Sequence, residues 1–299
     1  MAIQIINIPR INDTPADFAK LFVIWSQALD SSGEVVFNLS ECAFLRPNAV
    51  AFLGGLARLL QARGTSVDFD WNTCRNGAVK NNLEQNGFAD KFGHPSKTRQ
   101  GESIPYRENA DMNMNEIMDY LTDSWLGRGW VHVSPKLRDA IVGRVWEIYN
   151  NAFEHSRTGV GVFSCGQHFG NCNDLILSVV DFGQGIPANV RNFFHSQQVE
   201  QDQVEKLSDA ACLKWAFERG NSTCPQGVAR GLGLDLLREF VHLNQGKLEI
   251  YSNGGYAIAD ARGERFINHS HPFEGTVVHI TLRCDEMLYQ FRDEAEPPF

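Results

Sequence analysis

The stretch EIYNNAFEHS (residues 147–156) and the later VVDFGQGIP (179–187) decide how the second half of this 299-residue chain is interpreted. Glu147, Asn151 and His155 recur every four residues, so a helix places their side chains on one polar face. Taken alone, that face is equally well explained as the solvated side of an amphipathic helix.

The elements around this stretch follow from local signals. Ser134 and Pro135 supply an N-cap and a first-turn proline, which predicts a long helix to about Ser156. GVGVFSCGQ and DLILSVVDFG read as two strands joined by a turn at about 171–173, and KLEIYS and TVVHITL read as two more strands. Helical material is expected at 116–127. The apolar face of the long helix comprises Leu137, Ile141, Val145, Ile148 and Ala152.

VVDFGQGIP places a carboxylate directly after an apolar strand. Asp181 is followed by Gly183 and Gly185, where the backbone turns tightly or admits a flat ligand. A DxGxG pattern by itself is also typical of an ordinary glycine turn.

RGLGLDLLREFV (230–241) contains the second glycine-rich stretch. Gly231 and Gly233 stand at the entrance of an amphipathic helix, where free N–H groups and the helix dipole suit phosphate oxygens. An ordinary helix start is the alternative.

Taken together, these stretches are far more specific than any one of them. In order and spacing, EIYNNAFEHS, DFGQGIP, ARGLGLDLL and FEGTVVHITL resemble the N box, the two glycine boxes and the final-strand threonine of the GHKL (Bergerat-fold) ATPases. That superfamily includes gyrase B, MutL proteins, sensor histidine kinases and anti-sigma-factor serine kinases. The resemblance spans residues 135–283 and implies binding of ATP with Mg²⁺.

The resemblance also assigns roles within the site. Asn151 would coordinate Mg²⁺, and Asp181 would accept a hydrogen bond from the adenine amine. Gly183 and Gly185 would let the backbone approach the purine, and Thr276 would help to hold Asp181 and a bound water. The second glycine box would close onto the phosphates through Gly231, Leu232, Gly233 and Leu234.

Two further roles depend on the same resemblance. Glu147, four residues before the magnesium asparagine, would act as the general base of an ATPase or serine kinase. Residues 192–230 would form a mobile ATP lid. His155 follows the asparagine-alanine run of the family and is expected to be a structural residue or to support the residues that bind the ligand, not to be phosphorylated. A sensor histidine kinase is disfavoured, because the sequence shows no helix pair with a phosphoacceptor histidine before the ATPase domain.

The first hundred residues alternate strand and helix signals. VVFNL (35–39) and SVDFDW (66–71) read as strands, and 47–64 and 81–93 read as helical, with a stop at Gly87. A small α/β unit with a mainly parallel or mixed sheet is expected. It resembles a STAS-like domain, the fold of anti-sigma-factor antagonists, although LRPNAV (45–50) lacks their phosphorylatable serine.

The predicted fold class is therefore α/β with two domains. Residues 1–100 form the STAS-like domain, 101–115 a polar linker, and 116–299 an ATP-binding α/β sandwich whose mixed sheet carries helices on one face. Each domain is long enough to bury a core of its own.

Composition limits the partners and the compartment. The chain has 36 acidic and 27 basic residues, a formal charge of −9 that opposes broad attraction to nucleic acid. The longest apolar segment is broken by glycines and Arg58, so no membrane-spanning segment is expected. Seven scattered cysteines without a CxxC favour a reducing compartment, the cytoplasm. Proteins and small ligands are the expected partners, and a homodimer is common in the superfamily.

CGQHFGNC brings Cys165, His168 and Cys172 close together in sequence. Their spacing fits no familiar zinc pattern, and a hairpin is the favoured interpretation.

Three functions fit these observations. The first is an ATPase or a protein serine/threonine kinase regulated by the N-terminal domain. The second is a non-catalytic switch in which ATP alters a surface that binds a protein partner. A DNA-processing ATPase is the least favoured, because only about 17 residues follow TVVHITL.

Overall fold

The N-terminal unit is a three-stranded parallel sheet with helices. The computed structural model describes residues 3–31, 33–98, 101–155, 159–218, 220–221 and 234–294. The sheet runs in the order β1-β2-β3 and is parallel throughout, as the alternating strand and helix signals predict. Its elements are β1 (Ile3–Asn7), α1 (Pro15–Leu29), β2 (Glu34–Asn38), α2 (Pro47–Ala62), β3 (Val67–Asp70), α3 (Gly77–Gln85) and α4 (Phe88–Lys91).

Local sequence explains where the first helices begin. Thr14 caps α1 and forms a capping box with Asp17, and a proline occupies the first turn. Pro47 starts α2 in the same way. Gly87 has a φ of 84° and separates α3 from α4, the stop that the sequence predicts.

The second unit contains a five-stranded sheet in the order β4-β5-β6-β8-β7. All four strand pairs are antiparallel, so the predicted mixed sheet is wrong. Short connections at 170–173 and 261–262 join β5 to β6 and β7 to β8, and connections of that length can only join antiparallel strands. The strands are β4 (Ser103–Asn109), β5 (Val162–Phe169), β6 (Asp174–Asp181), β7 (Lys247–Asp260) and β8 (Gly263–Arg283).

The predicted linker is also corrected, because residues 103–109 form β4, an edge strand paired with β5. Ser103, Ile104 and Tyr106 are buried. The segment reads as polar because its remaining residues face outward, but its buried side chains complete the sheet.

The helices of the second unit lie against one face of this sheet. The long predicted helix is confirmed as α6, and the Ser134 hydroxyl accepts a hydrogen bond from the Leu137 N–H at 3.2 Å. All five residues of its predicted apolar face are buried. The helices are α5 (Met114–Asp119), followed by a widened turn and a short 3₁₀ turn to Arg128, then α6 (Pro135–His155), α7 (Gly185–Ser196), α8 (Gln201–Glu205), α9 (Asp209–Phe217) and α10 (Asp235–Leu243).

The opposite face of the five-stranded sheet is covered by α1 and α2 of the N-terminal unit. Phe22 of α1 stacks on Phe273 of β8 with ring centroids 4.4 Å apart, and Phe18 stacks on Tyr251 of β7 at 4.2 Å. One continuous core therefore joins the two units, instead of the separate cores expected for two domains. The sheet is sandwiched between its own helices and those of the N-terminal unit.

A buried polar chain crosses the same interface. Asp13 Oδ2 lies 3.3 Å from Arg46 and 3.5 Å from Nε2 of His279, and Nδ1 of His279 hydrogen-bonds the Ser178 hydroxyl at 2.7 Å. Burial alone would raise the pKa of Asp13. The hydrogen bond and charge of His279, with the charges of Lys247 and Arg46, instead hold that pKa well below its ordinary value.

Among the described residues, no helix is both long enough and apolar enough to span a membrane.

Replacing Asp13→Asn tests the polar chain between the units. Because the pKa of Asp13 is lower in the folded protein than in the unfolded chain, the charged carboxylate stabilises the fold at neutral pH, and this contribution is lost as the solution becomes strongly acidic. At pH 7 the variant should lose about 2 kcal/mol or more of unfolding free energy, because a buried network loses one charged partner. Thermal unfolding followed by circular dichroism measures the change.

The matched control is Asp293→Asn, which removes the partner of Lys136 in an ion pair whose side chains are 57% and 66% exposed. Its effect should stay within about 0.5 kcal/mol, as is usual for exposed pairs. Equal effects of the two substitutions would contradict the role given to Asp13.

Candidate functional site

The polar face of α6 is the first component of the site. Glu147, Asn151 and His155 lie at successive turns, and all three are half-buried. The guanidinium of Arg144 donates to the Glu147 carboxylate at 2.6 Å. This half-burial differs from the fully solvated face that was the alternative interpretation.

The end of α6 is joined to the first glycine-rich loop. The carbonyl oxygen of His155 accepts hydrogen bonds from Nε2 of Gln184 at 3.2 Å and from Nδ2 of Asn189 at 3.1 Å. The DFGQG loop therefore lies beside the last turn of α6, one turn beyond Asn151. These contacts involve the backbone of His155, so the role expected for its side chain stays a prediction.

A buried row of polar side chains crosses three neighbouring strands. Asp181 ends β6 and pairs in register with Thr276 of β8, which in turn pairs with Ser252 of β7. Their exposed fractions are 5%, 8% and 0%. The Ser252 and Thr276 hydroxyls lie 3.0 Å apart, and Ser252 also accepts a hydrogen bond from the Ile186 N–H at 2.9 Å.

Asp181 is a buried acid, and no charged side chain in the described part of the chain contributes to its pKa. Burial raises its pKa to about 7, and the hydrogen bonds from the Gly183 N–H, at 2.9 Å, and from the Thr276 hydroxyl oppose that rise. A carboxylate in such an environment has unused acceptor capacity that a ligand N–H group can satisfy. This makes Asp181 the centre of the candidate site.

Glycine is required at two positions around Asp181. Gly185 begins α7 with a φ of 79°, and a Cβ there would collide with Asn253 Oδ1. Gly275 has a φ of 141°, and a Cβ there would collide with the Asp181 carbonyl oxygen. Both conformations favour glycine, so Gly185 allows the loop after β6 to approach β7 and Gly275 allows β8 to approach the end of β6.

Sequence reasoning missed Ser252 and Gly275. Ser252 ends KLEIYS and becomes part of the site only through its register with Thr276, which a single sequence does not specify. Gly275 stands next to Thr276 in FEGT, and that adjacency was the available signal.

The second glycine-rich stretch is only partly described. Gly231, Leu232 and Gly233 lie outside the described residues, so their predicted contacts with phosphate remain predictions. Leu234 precedes α10, and its side chain is buried in the core.

Helix α9 lies within residues 192–230, the segment predicted to form a mobile lid. Asp209, the first residue of α9, accepts a hydrogen bond from Arg191 at 2.5 Å and another from the Gly254 N–H at 2.7 Å. Leu213 and Phe217 are buried. Residues 209–217 are thus packed on the sheet and not part of a loop, and residues 222–230 of the predicted lid lie outside the described part.

The cysteine and histidine stretch forms the predicted hairpin of β5 and β6. The Cys165 thiol lies 3.9 Å from Nδ2 of Asn86 in the interface with the N-terminal unit. The ring of His168 instead stacks on Trp130, with centroids 4.7 Å apart. Residues 165 and 168 project to opposite faces of the strand, so the three side chains do not converge on one ion.

The fold is an α/β sandwich, and the polar row marks a candidate ligand site where β6 ends beside β8 and β7. Residues 138–286 match the model of the histidine kinase-, DNA gyrase B- and HSP90-like ATPase family, and this part of the chain is a domain of that family. The family implies ATP binding and an ATPase- or kinase-type function. No curated protein matches the chain. The family match does not reach the N-terminal unit, so its resemblance to STAS domains stays a prediction.

The substitution Asp181→Asn tests the burial of this acid. The pKa of Asp181 is about 7 in the folded protein, whereas the pKa of an aspartate in an unfolded chain is about 3.9. As the pH rises between these values, the unfolded chain ionises before the folded protein does, so the folded state loses stability, and the loss is complete above about pH 7. The neutral amide avoids this loss.

The difference in thermal midpoint, variant minus parent, should therefore increase as the pH is raised from 4.5 to 8. Scanning calorimetry across this range measures the difference. A difference in thermal midpoint that stays constant across this pH range would show that Asp181 does not titrate as a buried acid.

Proposed function

We propose that the second unit binds adenine nucleotide with Mg²⁺ and that Asp181 recognises the adenine. The supporting observation is the buried, uncompensated carboxylate at the end of β6, within the residues that match the ATPase family. Its ionised form accepts a hydrogen bond from the exocyclic amine, and a charge-assisted bond in a dry site is strong. The Thr276 hydroxyl holds the carboxylate from β8, and the Ser252 hydroxyl of β7 lies 3.0 Å from that hydroxyl.

The glycines give the purine room. Gly183 uses its N–H to orient Asp181, and the absence of a side chain there would let a flat ring approach the backbone. Gly185 turns the chain into α7 without colliding with β7. We assign Gly231, Leu232, Gly233 and Leu234 to the phosphates on the strength of the resemblance and the predicted helix start.

Asn151 is the proposed magnesium ligand. Its side chain is half-buried on the polar face of α6, one turn from the loop that carries Asp181. Magnesium prefers oxygen ligands and retains water, so a single carboxamide oxygen together with nucleotide phosphates is a suitable donor set. When bound, the ion would neutralise charge on the phosphates.

Glu147 is the proposed general base. It lies one turn before Asn151 on the same face and is 36% exposed, so a water molecule or a substrate hydroxyl can reach it. Its carboxylate would accept the proton of the attacking group, and Arg144 would hold one of its oxygens in position. The reaction would be ATP hydrolysis or transfer to a serine or threonine hydroxyl of a protein substrate.

A non-catalytic switch is the second candidate function. In that case nucleotide binding would change a surface that contacts a protein partner or a second copy of the chain, without turnover. The continuous core between the nucleotide-binding unit and the N-terminal unit favours communication of this kind. The acidic net charge still argues against nucleic acid as the partner.

Turnover in the Glu147→Gln variant distinguishes the two functions. If Glu147 is the base, the substitution should reduce ATP turnover about 100-fold or more and leave nucleotide affinity nearly unchanged. Asn151→Ala should instead abolish the magnesium dependence of ATP binding. Phosphate release and calorimetric titration measure the two effects.

The matched control is Glu154→Gln, which changes an exposed glutamate of the same helix. It should leave turnover within about twofold of the parent. Nucleotide binding without turnover in the parent, with candidate protein substrates present, would favour the switch. No adenine nucleotide binding in the presence of Mg²⁺ would overturn the proposed function itself.

The pH dependence of adenosine binding tests Asp181 as the adenine acceptor. Because the pKa of Asp181 is about 7, the charged acceptor is lost as the pH falls below that value. Affinity should be constant above about pH 8 and should fall about tenfold per pH unit well below pH 7. Adenosine is the suitable probe because it carries no phosphate group. A flat profile between pH 5.5 and pH 8 would remove Asp181 from adenine recognition.

A further inference from the structure

Phe182 connects the candidate nucleotide site to the N-terminal unit. It lies between Asp181 and Gly183 in the first glycine box, and its side chain is buried in the core shared by the two units. Its ring meets the ring of Phe52 in α2 edge-on, with centroids 5.1 Å apart. The DFG segment thus has an acid in the polar row and an aromatic ring packed against α2.

Two adjacent glycines allow α2 to approach this closely. A Cβ added at Gly55 would lie 2.5 Å from Phe182 and 2.6 Å from Phe163, and one added at Gly54 would collide with the Tyr106 hydroxyl. Glycine within a helix costs about 1 kcal/mol relative to alanine. The rings of Phe163 in β5 and Phe182 occupy the volume that a side chain at 55 would need, and Tyr106 of β4 occupies the volume needed at 54. Both glycines therefore have a packing role.

We propose that α2 is a positioning element of the adenine site, in which Phe52 and Gly55 fix Phe182 and thereby the carboxylate of Asp181. This inference rests on the proposed function. Asp181 and Phe182 are consecutive, so displacing the Phe182 ring rotates the backbone on either side of Phe182. That rotation moves the Gly183 N–H, which holds Asp181 Oδ1 at 2.9 Å.

β8, the strand next to β6, is also packed against the N-terminal unit. Phe273 of β8 stacks on Phe22 with nearly parallel rings, at an interplanar angle of 6°, and is followed closely by Gly275 and Thr276. Thr276 is the residue that pairs with Asp181. The segments that carry Asp181 and Thr276 are therefore both packed against helices of the N-terminal unit.

A consequence is that the N-terminal unit and the adenine site are thermodynamically linked. If the position of α2 sets the affinity for adenine, then adenine binding must favour that position of α2 to the same extent. A protein partner that shifts α1 or α2 would change nucleotide affinity without contacting the nucleotide. The N-terminal unit thus provides the regulation of the site.

Gly55→Ala and Gly54→Ala form a matched pair of substitutions on one helix. Both insert a methyl group into a filled interface, but only the one at 55 acts on Phe182. Gly55→Ala should weaken adenosine binding about tenfold, within the range of coupling through packed side chains, whereas Gly54→Ala should stay within about twofold. Calorimetric titration of the full-length proteins measures both.

The pH profile separates positioning from a general loss of stability. Gly183 and Thr276 bond to Asp181, and no charged side chain of the described residues contributes to its pKa. A displaced Phe182 would admit water beside the carboxylate and lower the pKa of Asp181. The midpoint of the adenosine pH profile should therefore move to lower pH in Gly55→Ala and remain at the parent value in Gly54→Ala.

Phe52→Leu provides a milder variant if Gly55→Ala fails to fold. It keeps the apolar volume approximately and removes the ring that contacts Phe182, so it should produce the same two changes. The inference is overturned if the parent binds adenosine and the variants at 55 and 52 retain its affinity and pH midpoint, or if Gly54→Ala weakens binding equally. A parent protein that binds no adenine nucleotide overturns the proposed function instead.

Discussion

The carboxyl group of Asp181 is buried at the end of β6, and its hydrogen-bond donors, the Gly183 N–H and the Thr276 hydroxyl, are both uncharged. An acid in that environment costs stability when it ionises, because desolvation is not offset by an opposite charge. The fold keeps it there by register: Asp181, Thr276 and Ser252 lie side by side on three strands, and Gly275 leaves room for the backbone of Asp181. Such an arrangement is understandable where a ligand supplies the missing donor.

That register depends in turn on what covers the other face of the sheet. The five strands have one face against α6 and α10 and the other against α1 and α2. Without the second layer, the rings of Phe182, Tyr251 and Phe273 would be exposed to water, and a patch of that kind is unfavourable in a folded protein. The N-terminal unit is therefore part of the structural support of the site, and the chain is better described as one layered body than as two independent domains.

Sequence patterns predicted the elements that are defined locally. The cap at Ser134 and the helical spacing of the apolar residues gave α6, and the alternation of strand and helix gave the parallel N-terminal sheet. The placement of Asp181, Gly185 and Thr276 around one strand end also followed from short motifs, although their contacts with nucleotide remain predictions.

The features that were missed depend on contacts between distant parts of the chain. β4 was hidden because only its inward-facing residues are apolar, and the register that brings Ser252 to Thr276 is set by pairing across a long hairpin. α2 did carry a signal. All residues of α2 from 47 to 57 are buried. A helix that is buried on every side lies between two layers of the protein, whereas a helix on the outside of one layer keeps an exposed face. The sequence signal for the shared core was the uninterrupted apolar run AVAFLGGLA at 49–57.

The ion pair of Arg144 and Glu147 bears on whether the site turns over ATP. In a protein that only binds nucleotide, a half-exposed glutamate at this place needs no fixed orientation, and an exposed pair three residues apart contributes little to stability. Orientation matters for a base, because proton transfer requires the carboxylate oxygen to lie within hydrogen-bond reach of the attacking group. Arg144 binds one oxygen of Glu147 and leaves the other available, which is the arrangement that the proposed general base would need. The geometry of α6 is thus compatible with the proposed enzyme, and the packing of α2 against Phe182 is compatible with regulation of an enzyme or of a switch.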